Sequence, residues 1–251
     1  MSEDRAKNMQ NKQNILRKVK ELMKSWEADQ IPRLAQHEVH PDLHKSSREN
    51  YLYFTLPPCL NFQRNSPAMW AAALKTYEDP HTQWVFFPEK VATKSREDVQ
   101  KALLKHKLAL QLNKHTDIWI AISSALNTLF ENDPRKLLEA GEFDVAKIHD
   151  IIQIHHKARF PYLRGPKLSH YWLFILMHYT DVKLRNVEAI SIIPDTHVLQ
   201  STVQLGLTDK IETPEKVVAL WKELLMGSGI APFQMHSILW NWSRNSFKPE
   251  V

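Results

Sequence analysis

Five glycines in 251 residues leave little material for the tight turns a β-sheet needs, and runs alternating apolar with polar residues are nearly absent. Apolar residues recur instead at three- and four-residue spacing. Between residues 8 and 27, Ile15, Val19, Leu22, Met23 and Trp26 make one stripe of a helix. Ser66 and Pro67 open a second helix through MWAAALKTY in N-cap and first-turn fashion. Further helices are predicted at 95–112, 116–130, 144–157, 166–180, 195–205, 213–226 and 232–246, with a turn at Asn132, Asp133 and Pro134. A proline-punctuated connector runs from Ile31 to Pro58, and its run YLYFTL is the one strand candidate. The expected class is all-α, ten or so helices joined by short loops.

One cysteine, Cys59, excludes an internal disulfide framework and any four-cysteine metal or cluster site. The N-terminus has no apolar h-region, and the longest apolar run, WLFILM, falls far short of a membrane span. A soluble protein of the cell interior is expected, cytoplasmic and nucleoid-associated, or nuclear in a eukaryote. The net charge of +5 permits binding to phosphate backbones without requiring it. Thirteen histidines invite a metal hypothesis, but none has ligand spacing, and neither a metal nor a cofactor is expected.

The segment LRGPKLSHYW sets Lys167 against the most apolar helical run in the chain. Either that lysine snorkels into water from a first turn, or it is held partly buried for its amine. Asp195, in PDTHVLQ, opens another helix and reads as an N-cap. The segment with Trp84, Phe86 and Phe87 reads as a packed turn, the basic stretch Lys101 to Lys107 as a solvated face, and Trp70 as core.

Together, GPKLSH and IPDTHVLQSTVQLGL resemble the helix-hairpin-helix DNA glycosylase superfamily. That superfamily orders a hairpin ending in G-x-K, an apolar helix, and a D-x-H at a helix start. The closing segment GIAPFQMHSILWNWSR and the stretch NFQRNSPAMW are similar to the archaeal 8-oxoguanine DNA glycosylase branch. The likeness covers roughly residues 60 to 247.

The resemblance implies a glycosylase-like all-α fold of two helical lobes with the active site in the cleft between them. It places residues 58–251 in that domain and leaves residues 1–57 as an N-terminal helix and connector of unknown role. The implied activity is N-glycosidic cleavage at an oxidised purine, 8-oxoguanine, with abasic-site lyase chemistry. Lys167 would be the nucleophile and Asp195 the carboxylate, while Gln63, Pro194, His236 and Trp240 would hold the base. Arg164 and Gly165 would face the DNA backbone. The implied partner is double-stranded DNA with a damaged base or abasic site, bound by a monomer. The alternative is a family member that binds DNA or a nucleoside without excising a base.

Three departures accompany the match. The hairpin PYLRGPK has one glycine, with Leu163 where another would fall; TDVKLRNVEA lengthens the interval from lysine to aspartate; and His236 stands where the branch has an aspartate.

Overall fold

The computed structural model describes residues 2–33, 38–62 and 64–251. Among these residues it has twelve α-helices and no strand; one isolated bridge joins Asp144 to Arg185. Also among these residues, no helix is long and apolar enough to cross a membrane. The chain divides into two compact units, a continuous one (Gln36–Val187) and a discontinuous one (Met1–Ala35 with Glu188–Val251).

The continuous unit contains α2 (Arg48–Thr55), α3 (Ser66–Glu78), α4 (Pro88–Val91), α5 (Arg96–Lys105), α6 (Leu112–Leu129), α7 (Pro134–Ala140), α8 (Val145–Asp150) and α9 (Pro166–Tyr179). The strand candidate YLYFTL is corrected here, since its first five residues lie in α2. The Ser47 side chain caps that helix by accepting from the Asn50 N–H. Every residue from Asn50 to Thr55 is buried, because α2 packs on both α7 and α9. A run buried on all sides leaves no alternation for a sheet to use, so the aromatic β-propensity is overridden by packing.

Helix α9 carries the apolar run that follows Lys167. Pro166 starts it with a pre-set φ, and Leu168, Trp172, Leu173, Ile175 and Leu176 are buried. Buried aromatic rings need partners for their polar ends, and they have them. Trp172 Nε1 donates to Thr55 Oγ1 at 3.1 Å and Trp70 Nε1 to the Tyr171 hydroxyl at 2.9 Å. The Tyr171 and Tyr179 hydroxyls donate to the two oxygens of Glu38 at 3.1 and 3.0 Å.

The helix expected at 95–112 ends at Lys105, because Lys107 takes a left-handed φ of 61° and the Ala109 N–H turns back to the Leu103 carbonyl. The one expected at 144–157 is α8 followed by a π-helical turn over Ile151–His155. Helix α7 continues from the turn at Asp133, whose side chain caps it.

The discontinuous unit is built from α1 (Ser2–Glu27), α10 (Thr196–Gln204), α11 (Pro214–Leu225) and α12 (Gln234–Arg244). The stripe Ile15, Val19 and Leu22 of α1 is buried with Ile31, Val198, Trp221, Met235, Leu239 and Trp242. An apolar stripe on a lone helix has to be covered. Helices α11 and α12 cover it, so α1 groups with the last quarter of the sequence.

Candidate active site

The continuous unit supplies Lys167, Arg164 and Gly165. Lys167 follows Pro166 in the first turn of α9 and is exposed, with no ion pair or hydrogen bond to any described residue. The partial burial expected from its apolar flanks is absent. Pro166 and Lys167 face outward while Leu168 and Ser169 turn into the core, so the apolar face begins one residue after the lysine.

The hairpin before α9 uses its own amides. The N–H of Leu163 donates to Pro161 O at 2.7 Å, that of Arg164 to Phe160 O at 3.1 Å, and that of Gly165 to Tyr162 O at 2.8 Å. These three amides are thus bonded within the turn. Leu163, at the position of a usual glycine, is fully buried and anchors the turn to the core. A Cβ at Gly165 would stand 3.0 Å from the Tyr162 carbonyl oxygen, a tight contact that the turn would have to relax by a few tenths of an ångström. The Arg164 guanidinium bonds the Lys157 carbonyl. The amides of Lys167 and Leu168, in the first turn of α9, take no partner among the described residues.

One turn beyond Lys167 lies a histidine pair that the sequence reading missed. The rings of His170 and His149 meet edge to face, with centroids 4.6 Å apart. Burial pushes both imidazoles down, His170 to about 4, with the neighbouring ring adding to the effect on His170. His149 Nε2 is buried without a hydrogen-bond partner among the described residues. The one signal in the sequence was the i, i+3 spacing of Lys167 and His170.

The discontinuous unit supplies Pro194, Asp195, His236 and Trp240. Asp195 is half-buried and caps α10, its Oδ1 accepting from the Val198 N–H at 2.9 Å. Oδ2 has no partner among the described residues, which leaves a carboxylate oxygen for chemistry beyond the cap. The half-buried Pro194 precedes it, and the Asp195 N–H closes a turn onto Ile193 O. Helices α10 and α12 pack together, and this brings Trp240 to the Asp195 end of α10. The ring of His197, two residues after Asp195, meets the Trp240 indole edge-on at 5.3 Å and bonds Ser243 Oγ through Nδ1 at 3.1 Å.

The Arg244 guanidinium lies 4.7 Å from the centre of the same indole, so Trp240 is a cation–aromatic contact as well as a half-buried surface. His236, one turn earlier on α12, is also half-buried. His197 and Arg244 were missed by the sequence reading, although D-x-H itself places the histidine. Gln63 lies outside the described residues. Among the described residues no three His, Cys, Asp or Glu side chains converge as a metal site would need.

No known protein-family model matches the chain, and no curated protein matches it.

Proposed function

We propose that this chain is a DNA base-excision glycosylase with abasic-site lyase activity, acting on an oxidised purine of the 8-oxoguanine type. The observation that carries the reading is the chemistry of two helix starts in the order the resemblance requires. Among the described residues, one presents an exposed amine without a salt-bridge partner, and the other a capping carboxylate with an oxygen to spare.

Breaking an N-glycosidic bond builds positive charge on the sugar, which the Asp195 carboxylate offsets. The Lys167 amine, once deprotonated, bonds to C1′ as the C1′–N bond to the base breaks and the base leaves with a proton. Ring opening gives a Schiff base, loss of a C2′ proton expels the 3′-phosphate, and water then releases the lysine. Water around an exposed amine has to be displaced by the bound substrate itself. The second reading, a member that binds DNA without excision, draws its support from the exposure of Lys167, whose amine is not enclosed in apolar surroundings.

Sodium borohydride with abasic-site DNA tests the enzyme, because only a Schiff base is reduced to a stable covalent adduct. The wild-type chain is expected to trap. Lys167→Gln is expected to lose trapping completely, and Asp195→Asn to lower base excision by orders of magnitude while retaining the fold. Trapping by Lys167→Gln at the wild-type rate would assign the nucleophile elsewhere, and no trapping by the wild type would leave the binding reading.

A further inference from the structure

Two segments of the continuous unit contain no carboxylate side chain, the one between Asp98 and Asp117 and the one between Asp150 and Asp181. They meet at one point. Lys114, at the start of α6, places Nζ 4.8 Å from the ring centre of Tyr162 in the hairpin and 5.6 Å from that of Phe62. The two rings lie 5.2 Å apart. Phe62 is 40% exposed, and just before Lys114, Leu110 in the loop and Leu112 at the first residue of α6 are 56% and 50% exposed. Lys107 and Lys114 on this side, and Lys157 and Lys167 on the flanks of the hairpin, are exposed and form no ion pair among the described residues.

The loop bearing Leu110 is braced from beneath. Arg64 donates to the carbonyls of Leu108 at 2.7 Å and Lys107 at 3.2 Å. The Leu110 N–H donates to Nδ1 of the buried His115 at 3.1 Å, a bond that requires this nitrogen to be unprotonated. Large apolar side chains held out in water on a fixed loop, beside cations without counter-charges, are a recognition surface. Rings for bases to stack on, with lysines for phosphates, fit a nucleic-acid strand.

We infer that Phe62, Tyr162 and Lys114, with Lys107 and the exposed Leu110 and Leu112, form a strand-binding surface for DNA, with bases on the rings and phosphates on the lysines. The surface takes over the phosphate binding that the hairpin amides do not provide, and it rests on the glycosylase reading only in naming DNA as the strand.

The test is fluorescence anisotropy of the full chain with a labelled, undamaged thymidine oligonucleotide. Lys107→Glu with Lys114→Glu should weaken binding at least about tenfold. Its log–log salt dependence should become shallower by about 1.4, at about 0.7 for each phosphate no longer neutralised. Phe62→Ala should weaken binding by about 5- to 150-fold, the loss of one base stack, and Phe62→Trp should restore it. The matched change on the other unit, Lys210→Glu with Lys222→Glu, sets the background for altered net charge.

Several results would overturn the surface. The Lys107/Lys114 pair could weaken binding no more than the background pair. Phe62→Ala and Phe62→Trp could both bind like wild type, or polyglutamate could displace the oligonucleotide as well as unlabelled DNA does, which would make the patch a general polyanion site. Loss of borohydride trapping with oligonucleotide binding intact counts against the enzyme and not against this surface; the reverse counts against the surface alone.

Discussion

In the continuous unit the core is aromatic and tied together by hydrogen bonds, whereas in the discontinuous unit it is chiefly aliphatic. Around α2 and α9 the rings of Tyr53, Phe54, Trp70, Phe86 and Tyr179 lie within 6 Å of one another in a connected series, and Trp70, Tyr171, Trp172 and Tyr179 each donate a hydrogen bond. Around α1, α10 and α12 the buried set is mainly Ile, Val and Leu, joined by Trp221 and Trp242. The difference lies in what fixes each functional helix. Helix α9, which presents Lys167, is set in rotation and height by directional bonds along its buried face. Helix α10, which presents Asp195, is set by its cap, by the bond from Ser201 Oγ to Leu239 O and by a single buried indole, Trp221, whose Nε1 donates to Thr202 Oγ1 at 2.9 Å. Aliphatic cores tolerate repacking; hydrogen-bonded aromatic ones lose both volume and a buried polar partner when cut.

The largest expected effect is therefore on the aromatic side. Trp172→Ala, at a fully buried site whose indole bonds Thr55, should cost about 3–5 kcal/mol in urea unfolding followed by circular dichroism. Leu22→Ala, in the stripe of α1, should cost about 3 kcal/mol, leaving a cavity but no orphaned polar group. If the leucine variant proves the less stable of the two, the contrast between the cores is inverted.

Acid sharpens the comparison. His115, His149, His170 and His178, all in the continuous unit, have imidazoles pushed down mainly by burial, His115 to about 4. Below an unfolded value near 6.5 the unfolded chain takes up a proton that the folded chain refuses. Stability is thus full above pH 6.5 and falls as pH drops toward 4, by at most roughly 3 kcal/mol for His115. Thermal melts of His115→Gln across pH 4–7 should be flatter than those of wild type. Equal slopes would remove His115 from the acid response.

The smallest expected effect separates the cap from the chemistry on the other side. Asp195→Ala should lower stability by about 1 kcal/mol, and Asp195→Asn by only a few tenths, since asparagine also caps. Both should lose base excision. An alanine variant as stable as wild type would mean that the cap bond contributes little to α10.

Much of this was readable from local pattern. The stripe of α1, the proline that opens α9 and the aspartate that opens α10 each act within a few residues of themselves; α9 and α10 stand where the pattern put them, and α1 ends where expected but begins at Ser2, ahead of residue 8. What was not readable depends on partners distant in sequence. The YLYFTL run became helical because α7 and α9 bury it from two sides, and Lys167 remained exposed because the core begins at Leu168. The hairpin amides are claimed by carbonyls of Phe160, Pro161 and Tyr162, which a count of glycines does not reveal. The His149–His170 pair needed two helices to meet.

The grouping of α1 with the end of the chain has a consequence for vectorial synthesis. As the polypeptide leaves the ribosome, the apolar stripe of α1 emerges before the continuous unit, and its partners on α11 and α12 emerge after it. At about 5–20 residues per second, the intervening unit takes roughly 8–30 s to be made. For that interval Ile15, Val19 and Leu22 are a nascent amphipathic helix with nothing to dock on, while Gln36–Val187 already has its whole core in hand. The order of synthesis thus favours an aromatic unit that matures first and an aliphatic one that closes only once α11 and α12 have been made.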